Sequence, residues 1–149
     1  MKDNYKKVIF SFFDETSKDY IKESVWAKPL KNYYQLENIP FYTYLYSYND
    51  IVEAEEVENE LIVLKLITPS GNSTARLLFE NKEVMFKIKE ELIDLGCESE
   101  SSSNNLLLAV NIPKDISYLK VKNYFEQGED KDFFQYEEAC ISEHHRKKI

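Results

Sequence analysis

The sequence predicts an α+β fold, and three observations carry that expectation. Short apolar runs separated by turn residues occupy the chain as far as Asn72. Beyond it lie two stretches of helical period, each closed by a glycine, Gly96 and Gly128, and strand-like segments bracket both of them. Runs of this kind broken by Gly, Pro, Asn and Asp read as strands, and apolar steps of three and four read as helices.

Taken in order, Val8 to Phe13 is apolar on both faces and predicts a strand inside a small sheet, followed by a polar connection from Asp14 to Lys22. Ser24 to Leu30 and Tyr33 to Ile39 form a hairpin pair about Lys31-Asn32, because Asn accepts left-handed geometry. Trp26 and Leu36 are expected in the core, and Pro29 and Pro40 mark strand ends or edges. Ile39 to Ala54 then places a tyrosine on every second residue, Tyr42, Tyr44, Tyr46 and Tyr48, which predicts a strand with four rings on one face. Asp50 to Val57 and Leu61 to Thr68 form the next hairpin, about Glu58-Asn59-Glu60. Pro69-Ser-Gly-Asn72 is a turn, from which Ser73 to Glu80 is expected to return antiparallel to the preceding strand.

Val84, Ile88, Leu92 and Leu95 then share a helical stripe ending at Gly96. Cys97 to Ser101 reads as a short edge strand, Ser102 to Asn105 as a loop, and Leu106 to Ile112 as a buried strand. A second helix starts at Pro113-Lys-Asp115, with Asp115 as N-cap, Gly128 as stop and Ile116, Leu119, Val121 and Phe125 turned inward. Phe133 to Ser142 is the last strand. The order from Ser73 is the split βαβ arrangement of ferredoxin-like folds, βαββαβ. The strands before it suggest a small, partly closed β-barrel-like antiparallel sheet. The predicted division is a barrel-like half over 1–72, a ferredoxin-like half over 73–142 and a basic tail over 143–149.

Composition narrows the classes of function. No apolar run approaches the length of about 18 residues that a spanning helix needs, and the basic N-terminus lacks an apolar signal region, so a cytoplasmic location is expected. Cys97 and Cys140 are then expected as free thiols, and the predicted topology sets them at opposite sheet edges. The net charge of -8 includes +2 from residues 1 to 7 and +3 from residues 144 to 149, so the body between them carries -13. Such a body repels phosphate backbones, which argues against nucleic acid and for a partner with a basic surface.

The tyrosine ladder offers either an adhesive surface or a strand whose rings cover a core with hydroxyls in water. The acidic run Asp50, Glu53, Glu55, Glu56, Glu58 and Glu60 contains no Lys or Arg, and a second cluster gathers Glu126, Glu129, Asp130, Asp132, Glu137 and Glu138. Both could be solvated faces, or could steer a basic partner. Ser70, Ser73, Thr74 and Arg76 surround a turn that could receive an anion or small ligand, although hydroxyls in turns commonly bond the local backbone and Arg76 could simply pair with a carboxylate. No base is expected beside these hydroxyls, since His144 and His145 fall in the tail, read as mobile. Neither a metal-ligand spacing nor a cofactor motif is present.

Several blocks together resemble an uncharacterised bacterial family, domain of unknown function 4265. They are Glu-Ser-Val-Trp-Ala-Lys-Pro-Leu (23 to 30), Tyr-Gln-Leu-Glu-Asn-Ile-Pro-Phe (34 to 41), Tyr-Asn-Asp-Ile-Val-Glu-Ala-Glu (48 to 55), Pro-Ser-Gly-Asn-Ser-Thr (69 to 74) and Tyr-Glu-Glu-Ala-Cys-Ile-Ser (136 to 142). The resemblance spans about residues 23 to 142. It departs at Asn49, where the family carries glycine, and at Asn72, where it carries histidine. The second departure removes an imidazole that could have served as acid, base or ligand. The resemblance implies no reaction.

The functional expectation is a non-enzymatic interaction protein without a cofactor, most concretely a cytoplasmic immunity protein whose acidic, tyrosine-bearing surface covers a basic toxin domain. The alternatives are a small-ligand or anion sensing module at Ser70 to Arg76, and an enzyme working through carboxylates.

Overall fold

Strand alternation builds the first part of the chain. In the computed structural model, which describes residues 4–102 and 105–148, β1 (Lys6–Asp14), β2 (Asp19–Leu30), β3 (Tyr33–Leu36), β4 (Ile51–Val57) and β5 (Glu60–Thr68) follow one another. Each pairs antiparallel with the next, and Val8 and Ile9 of β1 pair in parallel with Leu61 and Ile62 of β5, so the hydrogen bonding closes into a ring. Val8 and Phe10, Val25 and Ala27, Leu36, and Val52 supply the buried interior, as the period of two requires. Trp26 takes the opposite parity. It is half-buried, with the Lys7 ammonium 5.1 Å from its ring centre, and is not a core residue as expected.

The turns follow their residues. Lys31 leads the β2–β3 hairpin at φ 49, while Glu58 and Asn59 hold φ 50 and 69 between β4 and β5, as a tight hairpin of the primed type demands. The polar connection expected over Asp14 to Lys22 is shorter than read: Asp14 and Asp19 already pair, and β2 starts there.

The tyrosine segment departs most from expectation. Residues 39–50 form no strand, and β4 begins only at Ile51. Leu45 and Asn49 have φ 71 and 68, which an extended ladder cannot contain, and the amides of residues 41–43 bond a carboxylate instead of a neighbouring strand.

The chain divides between Ser70 and Gly71 into two compact units. The second unit is a mostly antiparallel sheet with helices. β6 (Ser73–Leu78), α1 (Lys82–Asp94), β7 (Glu98–Ser101), β8 (Leu107–Ile112), α2 (Tyr118–Asp130), β9 (Gln135–Cys140) and α3 (Glu143–Arg146) follow in order. The sheet order is β7-β8-β6-β9. β6 therefore pairs with β8 and β9, and the expected antiparallel pairing with the strand before it is not made. Alternation along β6 and β8 turns Ala75, Leu77, Leu108, Val110 and Ile112 to the core that Met85, Ile88 and Leu92 of α1 and Val121 and Phe125 of α2 complete.

Asn81 caps α1 by accepting the amides of Glu83 and Val84, and Gly96 follows it at φ 88, the geometry its stop requires. The second helix corrects two expectations. Its N-cap is Ser117, not Asp115, and Leu119 is exposed. Gly128 lies inside the helix instead of ending it, because a Cβ there would overlap the buried Phe134 ring. Cys97 and Cys140 are not joined in a disulfide and lie toward opposite sides of the sheet order. Of the loop expected at 102–105, residues 103 and 104 lie outside the described residues. No helix among the described residues is long and apolar enough to cross a membrane.

Candidate functional site: a loop held by two buried carboxylates

Glu23 lies on β2 at the inward parity, with Val25 and Ala27, and faces Phe10 across the β1–β2 pair. An acid among inward apolar residues needs donors, and the segment after Pro40 supplies them. Glu23 Oε2 accepts the amide of Phe41 at 2.5 Å, and Oε1 accepts those of Tyr42 at 3.1 Å and Thr43 at 3.0 Å. Asp50, just before β4, holds the other end. Its Oδ2 accepts the Ser47 amide at 2.9 Å and its Oδ1 the Ser70 amide at 2.8 Å. Burial pushes the Asp50 carboxyl above its ordinary pKa, and the bonds from Ser70 and Ser47 oppose that shift.

Between these anchors the side chains divide. Tyr46 packs on Phe10 at 4.7 Å between ring centres and joins the interior of the ring. Burial, then the Asp50 charge, raises its phenol pKa. Thr43 and Ser47 are buried, and Tyr48 is half-buried. Tyr42 and Tyr44 remain 44% and 51% exposed, and Leu45 between Tyr44 and Tyr46 is 75% exposed. The four tyrosines do not share one face. The segment is a loop that turns Tyr46 inward and Tyr42, Tyr44 and Leu45 outward. Leu45 had no sequence signal, but Glu23 had one: an acid at the inward parity of a strand.

The acidic strand is less isolated than its sequence suggests. Glu53 on β4 pairs with Lys65 of β5 at 3.9 Å, and Glu60 with Lys22 at 3.1 Å. Glu56 shares a groove of about 510 Å³ with Lys6 and Lys7. Glu55 is exposed and enters no ion pair among the described residues. In the second cluster, Glu138 accepts the Tyr118 hydroxyl and lies 3.8 Å from Lys122, Glu137 pairs with Arg76, and Glu129 accepts the Tyr136 amide.

Ser70 donates its amide to Asp50. Ser73 and Thr74 are both fully buried but have opposite parities on β6. Arg76 is buried, with Nη1 3.6 Å from Glu137, and both line a groove of about 340 Å³.

Ser73 has a partner that the sequence reading did not assign. Its Oγ lies 2.6 Å from Nδ1 of His145, which is buried in α3. His145 Nε2 lies 3.0 Å from the Pro113 carbonyl, which can only accept, so Nε2 carries a proton, and in the neutral imidazole Nδ1 receives the Ser73 hydroxyl. Ser73 Oγ also accepts the Ser142 amide at 2.9 Å. The pair has the spacing of a nucleophile and base, but Ser73 is closed to solvent, and its hydroxyl is occupied on both sides. It works as a clamp. The expectation of a mobile histidine tail is therefore corrected, and the signal lay in Ser142, whose hydroxyl caps α3 through the His145 amide. Among the described residues, no group of three or more His, Cys, Asp or Glu side chains assembles as a metal site would.

A family model described as domain of unknown function (DUF4265) matches residues 23–136. The crystal structure of a hypothetical protein from Neisseria gonorrhoeae has a similar fold, with a TM-score of 0.77 over 95% of this chain and 99% of that one at 21% identity. No curated protein matches.

Proposed function

This chain belongs to the DUF4265 family, and from that premise we propose that it is a non-enzymatic protein-binding module whose recognition element is the loop 41–48. One observation carries the reading: a loop exposing Tyr42, Tyr44 and Leu45 is tied at both ends to buried carboxylates. Leu45 at φ 71 costs roughly 1–3 kcal/mol of backbone strain. Exposing that side chain gains the free protein nothing. A partner pocket would bury Leu45 and the rings, and a pre-ordered loop loses little entropy on docking.

The more specific reading is a cytoplasmic immunity protein covering a basic toxin domain, and the net charge of -8 and the exposed Glu55, which enters no ion pair among the described residues, support it. The strand order β7-β8-β6-β9 and the closed β1–β5 ring support ferredoxin-like and barrel-like readings of the two units. Co-expression with the product of the neighbouring gene tests the function. A complex should form and relieve toxicity, and Leu45→Asp should weaken it by about 10-fold or more, as loss of a buried anchor does. Glu55→Lys should slow association at low salt. A complex indifferent to Leu45→Asp would sink the loop reading.

A further inference from the structure

Among the described residues of this acidic chain, Lys18, Lys22, Lys65, Arg76 and Lys122 are matched to carboxylates. Most of the other described cations, Lys114 and Lys148 among them, enter no ion pair among the described residues, and these two are set apart by where they lie. Both line one groove of about 310 Å³ with His144, and Asp115 is the one carboxylate on its wall among the described residues. Ile116 and the exposed Leu119 give the same groove an apolar side.

The convergence is felt at His144. Its pKa is held below the ordinary histidine value, first by partial desolvation and then by Lys148, Lys114 and His145, with Asp115 opposing. The clamp on α3 uses Ser73, Ser142, His145 and Pro113, and none of the side chains of Lys114, Lys148 or His144. Like charges gathered in a concavity repel, and a bound dianion reverses the sign of that energy.

We propose that this groove binds a small phosphorylated molecule, with its phosphate held by Lys114, Lys148 and His144 and its apolar body laid against Ile116 and Leu119. A double negative charge suits two lysine ammonium groups beside an imidazole that a bound anion would help to protonate, and lysine serves as a point-charge phosphate binder. The volume lies at the lower end of small-molecule sites, about 300 to 1,000 Å³. A polyanion such as RNA is disfavoured, because the body outside the tails carries -13.

The test follows the His144 imidazole by proton NMR through a pH titration of the full chain. It compares inorganic phosphate and phenyl phosphate with sodium chloride at matched ionic strength. Phosphate should raise the His144 midpoint by about 0.5 pH unit or more over chloride. Phenyl phosphate should do so at roughly tenfold lower concentration, through its buried ring. The double variant Lys114→Gln with Lys148→Gln should show a higher midpoint in chloride, because the repulsion is gone, and should lose the phosphate response. An equal midpoint in phosphate and chloride would overturn the site. So would a phosphate response that survives in the double variant, while equal potency of the two phosphates would overturn the apolar wall.

Discussion

Asp50 carries one backbone amide on each carboxylate oxygen, so its replacement by asparagine is not conservative. A carboxamide nitrogen cannot accept, and one of the amides of Ser47 and Ser70 would lose its partner in a buried place. Asp50→Asn should therefore lose about 1–3 kcal/mol in urea denaturation. Its pH dependence has a definite sign. Burial raises the folded pKa of Asp50, so its contribution is fully present below the unfolded value and is lost as pH rises through the folded one. The wild-type advantage over Asp50→Asn should be larger at pH 3 than at pH 6; an equal advantage would contradict the assignment. At this scale the sequence was partly legible. Glu23 could be found from its parity with Val25 and Ala27, whereas Leu45 could not, because its left-handed backbone depends on anchors at positions 23 and 50.

Elements with their own local signals were readable, and those set by distant partners were not. The stripe Val84, Ile88, Leu92 with Gly96 located α1 because periodicity and cap are both local. In α2 the helix was found but its ends were not: Pro113-Lys-Asp115 offered an earlier cap than Ser117, and Gly128 looked like a stop. Its real role is close approach, since the Phe134 ring occupies the space of a Cβ. Gly128→Ala should cost about 1–3 kcal/mol by overpacking, although alanine favours helices by roughly 1 kcal/mol over glycine. A variant as stable as wild type in thermal denaturation would show that the ring moves aside freely. The tyrosine segment failed as a strand for the opposite reason. Its period of two is local, but the amides of Phe41, Tyr42 and Thr43 are bound by Glu23, eighteen or more residues away.

Across the whole chain, charge read as a string misleads, because folding pairs Glu53 with Lys65 and Glu60 with Lys22, and groups Glu56 with Lys6 and Lys7. The parallel closure of β1 on β5 and the burial of His145 were equally invisible, since each joins segments far apart in sequence. Buried phenols give the molecule a common alkaline limit. Tyr118 and Tyr124 are held well above the ordinary tyrosine pKa, first by burial and then by hydrogen bonds to Glu138 and Glu91. Their contribution is present below the unfolded pKa, about 10, and is lost as pH rises through the folded values. In an ultraviolet titration, some of the 11 tyrosines should ionise only as the protein unfolds; reversible ionisation of all of them near pH 10 in the folded state would contradict this. The central claim is that buried carboxylates hold the loop 41–48 in place before any partner arrives, and amide hydrogen exchange on the free protein tests it most directly. The amides of Phe41, Tyr42, Thr43 and Ser47 should be protected to within about tenfold of the β2 amides, and Glu23→Gln should selectively release the first three. Exchange at the rate of an unstructured peptide in the wild-type protein would contradict it.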